Sequence, residues 1–228
     1  MLSSRAITSQ QLKARNYEEA IDSYNKLDAV LSRLYGALLH GRGVARSMLE
    51  QHQQAALDFK QAVEKQPQKA VYWVELGQEY TLLNDYANAH SAFVKAVELD
   101  PHNDQARRFR GMSAFEVEHY AAALDDLVPA LTRDPANTQL LTQVAHSLLR
   151  LNRYRESQPF WDAVVQADPG EAHAGEESSG EASPGEVDPG KAHAVEGEAW
   201  LQKGITHRIL GEADKAVDSL LMALSVQE

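Results

Sequence analysis

The chain has 228 residues and 25.2 kDa, of which 43% are apolar and 24% charged, the balance of a folded protein rather than a disordered one. A formal charge of −11 argues against a nucleic-acid partner, and the absence of cysteine excludes disulfides, thiolate metal sites and cysteine catalysis. No apolar run approaches the ~18 residues a membrane-spanning helix needs, so membrane insertion is not expected. The N-terminus, Met1-Leu2-Ser3-Ser4-Arg5, lacks the apolar core of a secretory leader. That points to the cytoplasm, or to the periplasm if the chain is a truncated mature form.

Taken in chain order, the sequence repeats itself. Residues 1–35 carry Tyr17, Ala20 and Tyr24 at helical spacing but few other marks of the pattern that follows, as a degenerate cap would. Units of 34 residues then start at Gly36, Ala70, Asp104 and Thr138, giving 36–69, 70–103, 104–137 and 138–171. The eighth position of each is Gly43, Gly77, Gly111 or Ala145, and the twentieth is Ala55, Ala89, Ala123 or Ser157. Phe59, Phe93, Leu127 and Trp161 recur at the twenty-fourth position, and Pro67, Pro101, Pro135 and Pro169 at the thirty-second. A last unit, 191–228, holds Trp200, Gly204, Ala216, Leu220 and Ala223 in the same slots. Asp188-Pro189 repeats the Asp168-Pro169 junction, so this unit's first helix is expected to restart near Lys191 and to run overlong.

The best-marked unit, Ala70–Asn103, reads AVYWVELGQEYTLLNDYANAHSAFVKAVELDPHN. Trp73, Leu76, Gly77, Tyr80, Ala89, Phe93, Ala96 and Pro101 stand at its positions 4, 7, 8, 11, 20, 24, 27 and 32. With all eight signature positions filled, the chain resembles the tetratricopeptide-repeat (TPR) family. The resemblance implies an all-α fold, a right-handed superhelix (α-solenoid) of about six helix-turn-helix repeats. Small residues at positions 8, 20 and 27 let two antiparallel helices approach, and bulky ones fill the space between units. Proline at position 32 stops each second helix. Pro129 and Pro159 fall inside second helices, where a lost hydrogen bond costs ~3 kcal/mol; a kink is expected at Pro129 and a milder distortion at Pro159.

Between the last two units lies an acidic pentapeptide array, 172–190, with glycines at 175, 180, 185 and 190. From Asp168 to Glu198 nine carboxylates face one base, Lys191; this stretch holds −8 of the −11 and leaves the rest nearly balanced. It has no apolar side chain larger than Val187 and cannot offset its own chain entropy. It reads as a low-complexity solvated insertion, an acidic lure for a basic partner being the alternative. Because it supplies no core residue, deleting Glu171–Asp188 is expected to leave thermal unfolding unchanged; a loss of several degrees in calorimetry refutes this.

No catalytic pattern accompanies the repeats. The nine histidines are never closer than 12 residues, which denies any helical metal pair, and no Gly-x-Ser-x-Gly or phosphate-cradling loop occurs. Glu18-Glu19 and Asp125-Asp126 read as solvated helix faces. The chain is therefore read as a non-enzyme with no cofactor and no metal.

What remains is binding. In the family it resembles, first helices line a concave groove through positions 2, 5, 9, 12 and 13. Carried onto this sequence, the groove comprises Met48, Val71, Val74, Gln78, Gln105, Arg108, Met112, Phe115, Gln139, Thr142, His146, Leu149 and Arg150. Phe115, with no helix to cover it, and Arg108, two helical turns earlier, are its expected anchors. The five-residue carboxylate clamp of co-chaperone TPR domains fits no register here; His40 and Val44, Glu75, then Gln105 and Phe109 stand in its slots. The reading is a protein-binding adaptor or scaffold that takes an extended or helical peptide. The alternatives are a scaffold that self-associates into a homo-oligomer, and one module of a larger secretion or envelope-assembly protein.

Overall fold

A computed structural model describes residues 21–24, 36–167 and 189–226. The regular structure among them is helical: α1 (Gly36–Ser47), α2 (His52–Lys65), α3 (Ala70–Leu82), α4 (Tyr86–Leu99), α5 (Asp104–Glu116), α6 (Tyr120–Leu131), α7 (Thr138–Arg150), α8 (Tyr154–Gln166), α9 (Pro189–Ile209) and α10 (Ala213–Ser225). Within the first unit α1 packs on α2 and α3 on α4, and within the second α7 packs on α8 and α9 on α10, the all-α helix-hairpin architecture of TPR units. Two compact units emerge, Met1–Ser113 and Ala114–Glu228, the boundary lying within α5. The degenerate N-terminal unit, apart from 21–24, and the acidic array up to residue 188 lie outside the described residues.

Each hairpin turns the same way for a local reason. One residue between its helices takes a left-handed conformation: Glu50, Asn84, Glu118, Asn152 and Gly211. The next residue's N–H then reaches back to a first-helix carbonyl, as Asp85 does to Tyr80 (2.8 Å) and Arg153 to Leu148 (2.8 Å). This closure satisfies carbonyls the helix end leaves open. Asn and Gly adopt the conformation readily, whereas at Glu50 and Glu118 it carries strain.

Packing within the first unit follows the small-and-large alternation. Leu39, Ala55, Phe59, Ala62 and Val63 join Tyr72 and Leu76 of α3 in one cluster. Val74, Ala89, Phe93, Ala96, Val97 and Ala106 form the next. In the second unit Leu127, Leu140, Val144 and Trp161 are essentially sealed from solvent.

Two sequence expectations change in detail, and both interior prolines are found inside helices. The overlong first helix is α9, 21 residues against 12 or 13 in the earlier first helices, and it starts at Pro189 rather than Lys191. A proline suits the first helical position, where no N–H partner is available. Pro129 lies in the last turn of α6, which ends at Leu131, while α8 continues past Pro159 to Gln166. Finally, Asp125 is exposed but Asp126 is 6% exposed, so the adjacent pair is not a solvated face. Asp126 lies six residues into its helix, as Asp58 does in α2, and Asp58 is buried too.

Candidate functional site

In the first unit, the surface formed by first helices mixes apolar and amide side chains. Val71 is 56% exposed and Met48 43%, and Gln105 is exposed as well. Gln78, Arg108 and Met112 are half-buried, and the Arg108 guanidinium lies over the Phe109 ring at 5.4 Å. Val74 departs from the expected groove. It is 7% exposed and packs with Phe93, Val97 and Ala106, so it belongs to the core between α3, α4 and α5.

In the second unit several expected residues come together. Phe115 is half-buried, its ring edge-on to Tyr120 at 5.9 Å and 6.4 Å from His146, which corrects the expectation of an uncovered aromatic. His146 stands perpendicular to Trp161 at 4.8 Å, and the exposed Arg150 places its guanidinium over Tyr120 at 5.9 Å. Gln139 is exposed, while Thr142 and Leu149 are half-buried; Thr142 donates its hydroxyl to the Thr138 carbonyl (2.8 Å). The result is an aromatic ledge edged by one cation.

His146 also faces Glu198 of α9, Nε2 to Oε1 at 3.3 Å. Burial holds its imidazole below the ordinary value of 6.5; Glu198 opposes that shift and Arg150 adds to it. The sign follows. Between 6.5 and the lowered folded-state value the unfolded chain binds a proton that the folded chain does not. Its contribution is therefore full above 6.5 and is lost as pH falls through that window. Urea midpoints measured down this range should fall less steeply for His146→Gln than for the wild type. Equal slopes exclude His146 as the source.

Polar groups that the sequence did not single out occupy the first unit's interior. Asp58, 1% exposed, accepts from Arg42 Nε (3.0 Å) and Nη2 (2.8 Å) and from Arg46 Nη1 (2.6 Å). Glu79, 3% exposed, accepts from Ser47 Oγ (2.6 Å) and pairs with His52 Nδ1 (2.9 Å). Glu75 pairs with His40, whose ring stacks on Tyr72 at 4.4 Å. These pairs tie α1 and α2 to each other and to α3. Among the described residues no three His, Asp or Glu side chains gather as a metal site, and no helix is long and apolar enough to cross a membrane.

The family profile of the tetratricopeptide repeat matches residues 70–103, the helices α3 and α4 with their connections. Those residues form a tetratricopeptide repeat. Similar proteins include the SGT1 homolog of Bos taurus, 29% identical over 113 residues, covering 49% of this chain and 32% of that protein. The BBSome complex member BBS4 of Bos taurus is 25% identical over 162 residues, 65% of this chain and 31% of its own length. The chain thus spans about a third of the length of these relatives. Among solved structures, YrrB, described as a TPR protein with an unusual peptide-binding site, superposes with a TM-score of 0.68. It is 18% identical, with 90% of this chain and 92% of that chain covered. MamA gives a TM-score of 0.66 at 14% identity, over 84% and 91%. At such identities the likeness is one of fold alone.

The buried charges did carry a signal in the sequence. Arg42 and Arg46 stand six and ten residues into α1, where α3 has Leu76 and Tyr80; Asp58 stands where α4 has Ala92. Two cations and one carboxylate at apolar positions of the repeat are the mark of an internal ion cluster. The pairing of His40 with Glu75, both partly exposed, leaves no such trace.

Proposed function

We propose that the chain is a non-enzymatic adaptor that holds an extended or helical segment of a partner protein on the surface of its first helices. Phe115 is the anchor in the second unit, and Arg150 supplies the charge that fixes register. The observation that carries this reading is the ledge of Phe115, Tyr120 and His146 with Arg150 at its edge. Aromatic rings beside an exposed arginine are the composition enriched at binding hot spots. Gln139, Thr142 and Leu149 supply hydrogen-bonding and apolar contacts around it. Met48, Val71, Gln78, Gln105, Arg108 and Met112 are a stretch of similar composition in the first unit. The fold likeness to YrrB, itself described as peptide-binding, supports the same class of ligand.

Peptides selected against the chain from a display library test this. Their binding should weaken at least tenfold, about 1.4 kcal/mol, in both Phe115→Ala and Arg150→Ala, with helical circular dichroism unchanged. Peptides that bind both variants normally, or unfolding of Phe115→Ala, refute the site.

A further inference from the structure

The ledge of the second unit is edged by two charges of opposite sign. Phe115 and Glu116 are the last two residues of α5, and Leu149 and Arg150 the last two of α7, so Glu116 and Arg150 hold the same place in successive first helices. Both are exposed. Among the described residues neither has a counter-ion, although charged groups close to them do. His146 faces Glu198 at 3.3 Å, and Arg153 holds Glu156 at 2.6 Å. Arg150 instead lies over the Tyr120 ring at 5.9 Å. Contact with the ring face steadies the guanidinium and uses none of its N–H groups, which stay free to take a carboxylate through two parallel bonds. Glu116 is in a less favourable condition. It ends its helix, where the backbone dipole disfavours an anion, and loss of surrounding water pushes its carboxyl up with no cation to oppose the shift.

We infer that the segment bound on this ledge carries a carboxylate on one side of its apolar anchor and a basic side chain on the other, the carboxylate taken by Arg150 and the base by Glu116. The inference rests on the adaptor reading above and specifies the chemistry of its ligand. Phe115 and Arg150 each lie 5.9 Å from the Tyr120 ring, and Glu116 follows Phe115 in the chain. The order Glu116, Phe115, Tyr120, Arg150 therefore gives an apolar side chain seated on the two rings an anion toward one end and a cation toward the other. A uniformly acidic segment meets Arg150 but is repelled at Glu116, and a uniformly basic one meets the reverse. A segment with both charges satisfies both groups, and only one way round. The pair thus sets the direction of the bound chain as well as its register.

The probe is a display library of short peptides with a central leucine and random flanks. Peptides selected on the full chain that lose binding to Phe115→Ala should carry Asp or Glu on one side of the leucine and Lys or Arg on the other. The best of them should bind Glu116→Arg and Arg150→Glu each roughly tenfold more weakly or worse, with helical circular dichroism unchanged. The same peptide with its acid and base exchanged should bind the Glu116→Arg/Arg150→Glu double variant as tightly as the original binds the wild type. Glu116→Gln and Arg150→Gln, which should each weaken the original peptide, serve if a charge reversal costs helicity. Phe115-dependent peptides without the acid–base pattern, or indifferent to these variants, overturn the inference and leave the adaptor reading standing. Absence of any Phe115-dependent peptide overturns both. A dimer in light scattering that Phe115→Ala dissolves overturns the inference too, since the occupant would then be a second copy. So does tighter peptide binding after deletion of Glu171–Asp188, which would make the chain's own acidic array the occupant.

Discussion

Asp58→Ala should lower stability by about 3–5 kcal/mol, the usual result of breaking a buried ion cluster by removing one member. The carboxylate is 1% exposed and takes three charge-assisted bonds from Arg42 and Arg46, whose side chains are only 12% and 18% exposed. Without Asp58 the two guanidinium groups lose the carboxylate they share, and the partly buried Arg46 loses the acceptor of its Nη1. The chain shows how the same space is filled without charge, because Leu76, Tyr80 and Ala92 occupy the matching positions of the next repeat. The triple variant Arg42→Leu/Arg46→Tyr/Asp58→Ala should therefore recover most of the loss, as apolar replacement of whole buried ion clusters often does. Urea denaturation of both variants is the measurement. A single-variant loss below ~1 kcal/mol, the scale of a surface pair, means that the arginines reach water.

The periodic part of this structure is legible in the sequence because it is set by steric extremes. Only small residues at Ala55, Ala62, Ala89 and Ala96 allow the helices to meet, and all four are completely buried. Asparagine and glycine at Asn84, Asn152 and Gly211 mark turns that need a positive φ. First helices accordingly begin at Gly36, Ala70, Asp104 and Thr138. Which side chains of the ligand-facing surface remain accessible is less legible, because depth depends on the neighbour's size. Exposure follows the register at Val71, Gln105, Gln139 and Arg150 but not at Val74. Val74 meets Ala106, whose small side chain lets α5 close over it. Arg108 and Thr142, at the same place in their own helices, are half-buried. Pairings between long polar side chains, such as His40 with Glu75 or His146 with Glu198, are decided by rotamers that periodicity does not encode.

Gly77→Leu should be the most disruptive apolar substitution in the first unit. A Cβ at residue 77 would stand 2.5, 2.7 and 2.8 Å from three carbons of the Phe93 ring, well inside van der Waals contact. The ring has nowhere to go. Phe93 is 1% exposed, its helix neighbours Ala89 and Ala96 are completely buried, and Phe109 stacks on it at 5.3 Å. Relief then requires α3 and α4 to separate along the seam that holds the best-marked repeat together. Overpacking of this kind costs ~1–3 kcal/mol and more where the backbone itself must shift. Gly197→Ala provides the contrast within the same protein. There, among the described residues, a Cβ meets Val226 alone, at 3.8 Å, and α9 extends well past the site on both sides. Removing an interior helical glycine without a clash should raise stability by about 0.5–1 kcal/mol. Calorimetry of the two variants should therefore move the melting temperature in opposite directions. An unchanged midpoint for Gly77→Leu would place residue 77 away from the helix seam and displace with it the register of α3, on which the surface positions of Val71 and Gln78 depend.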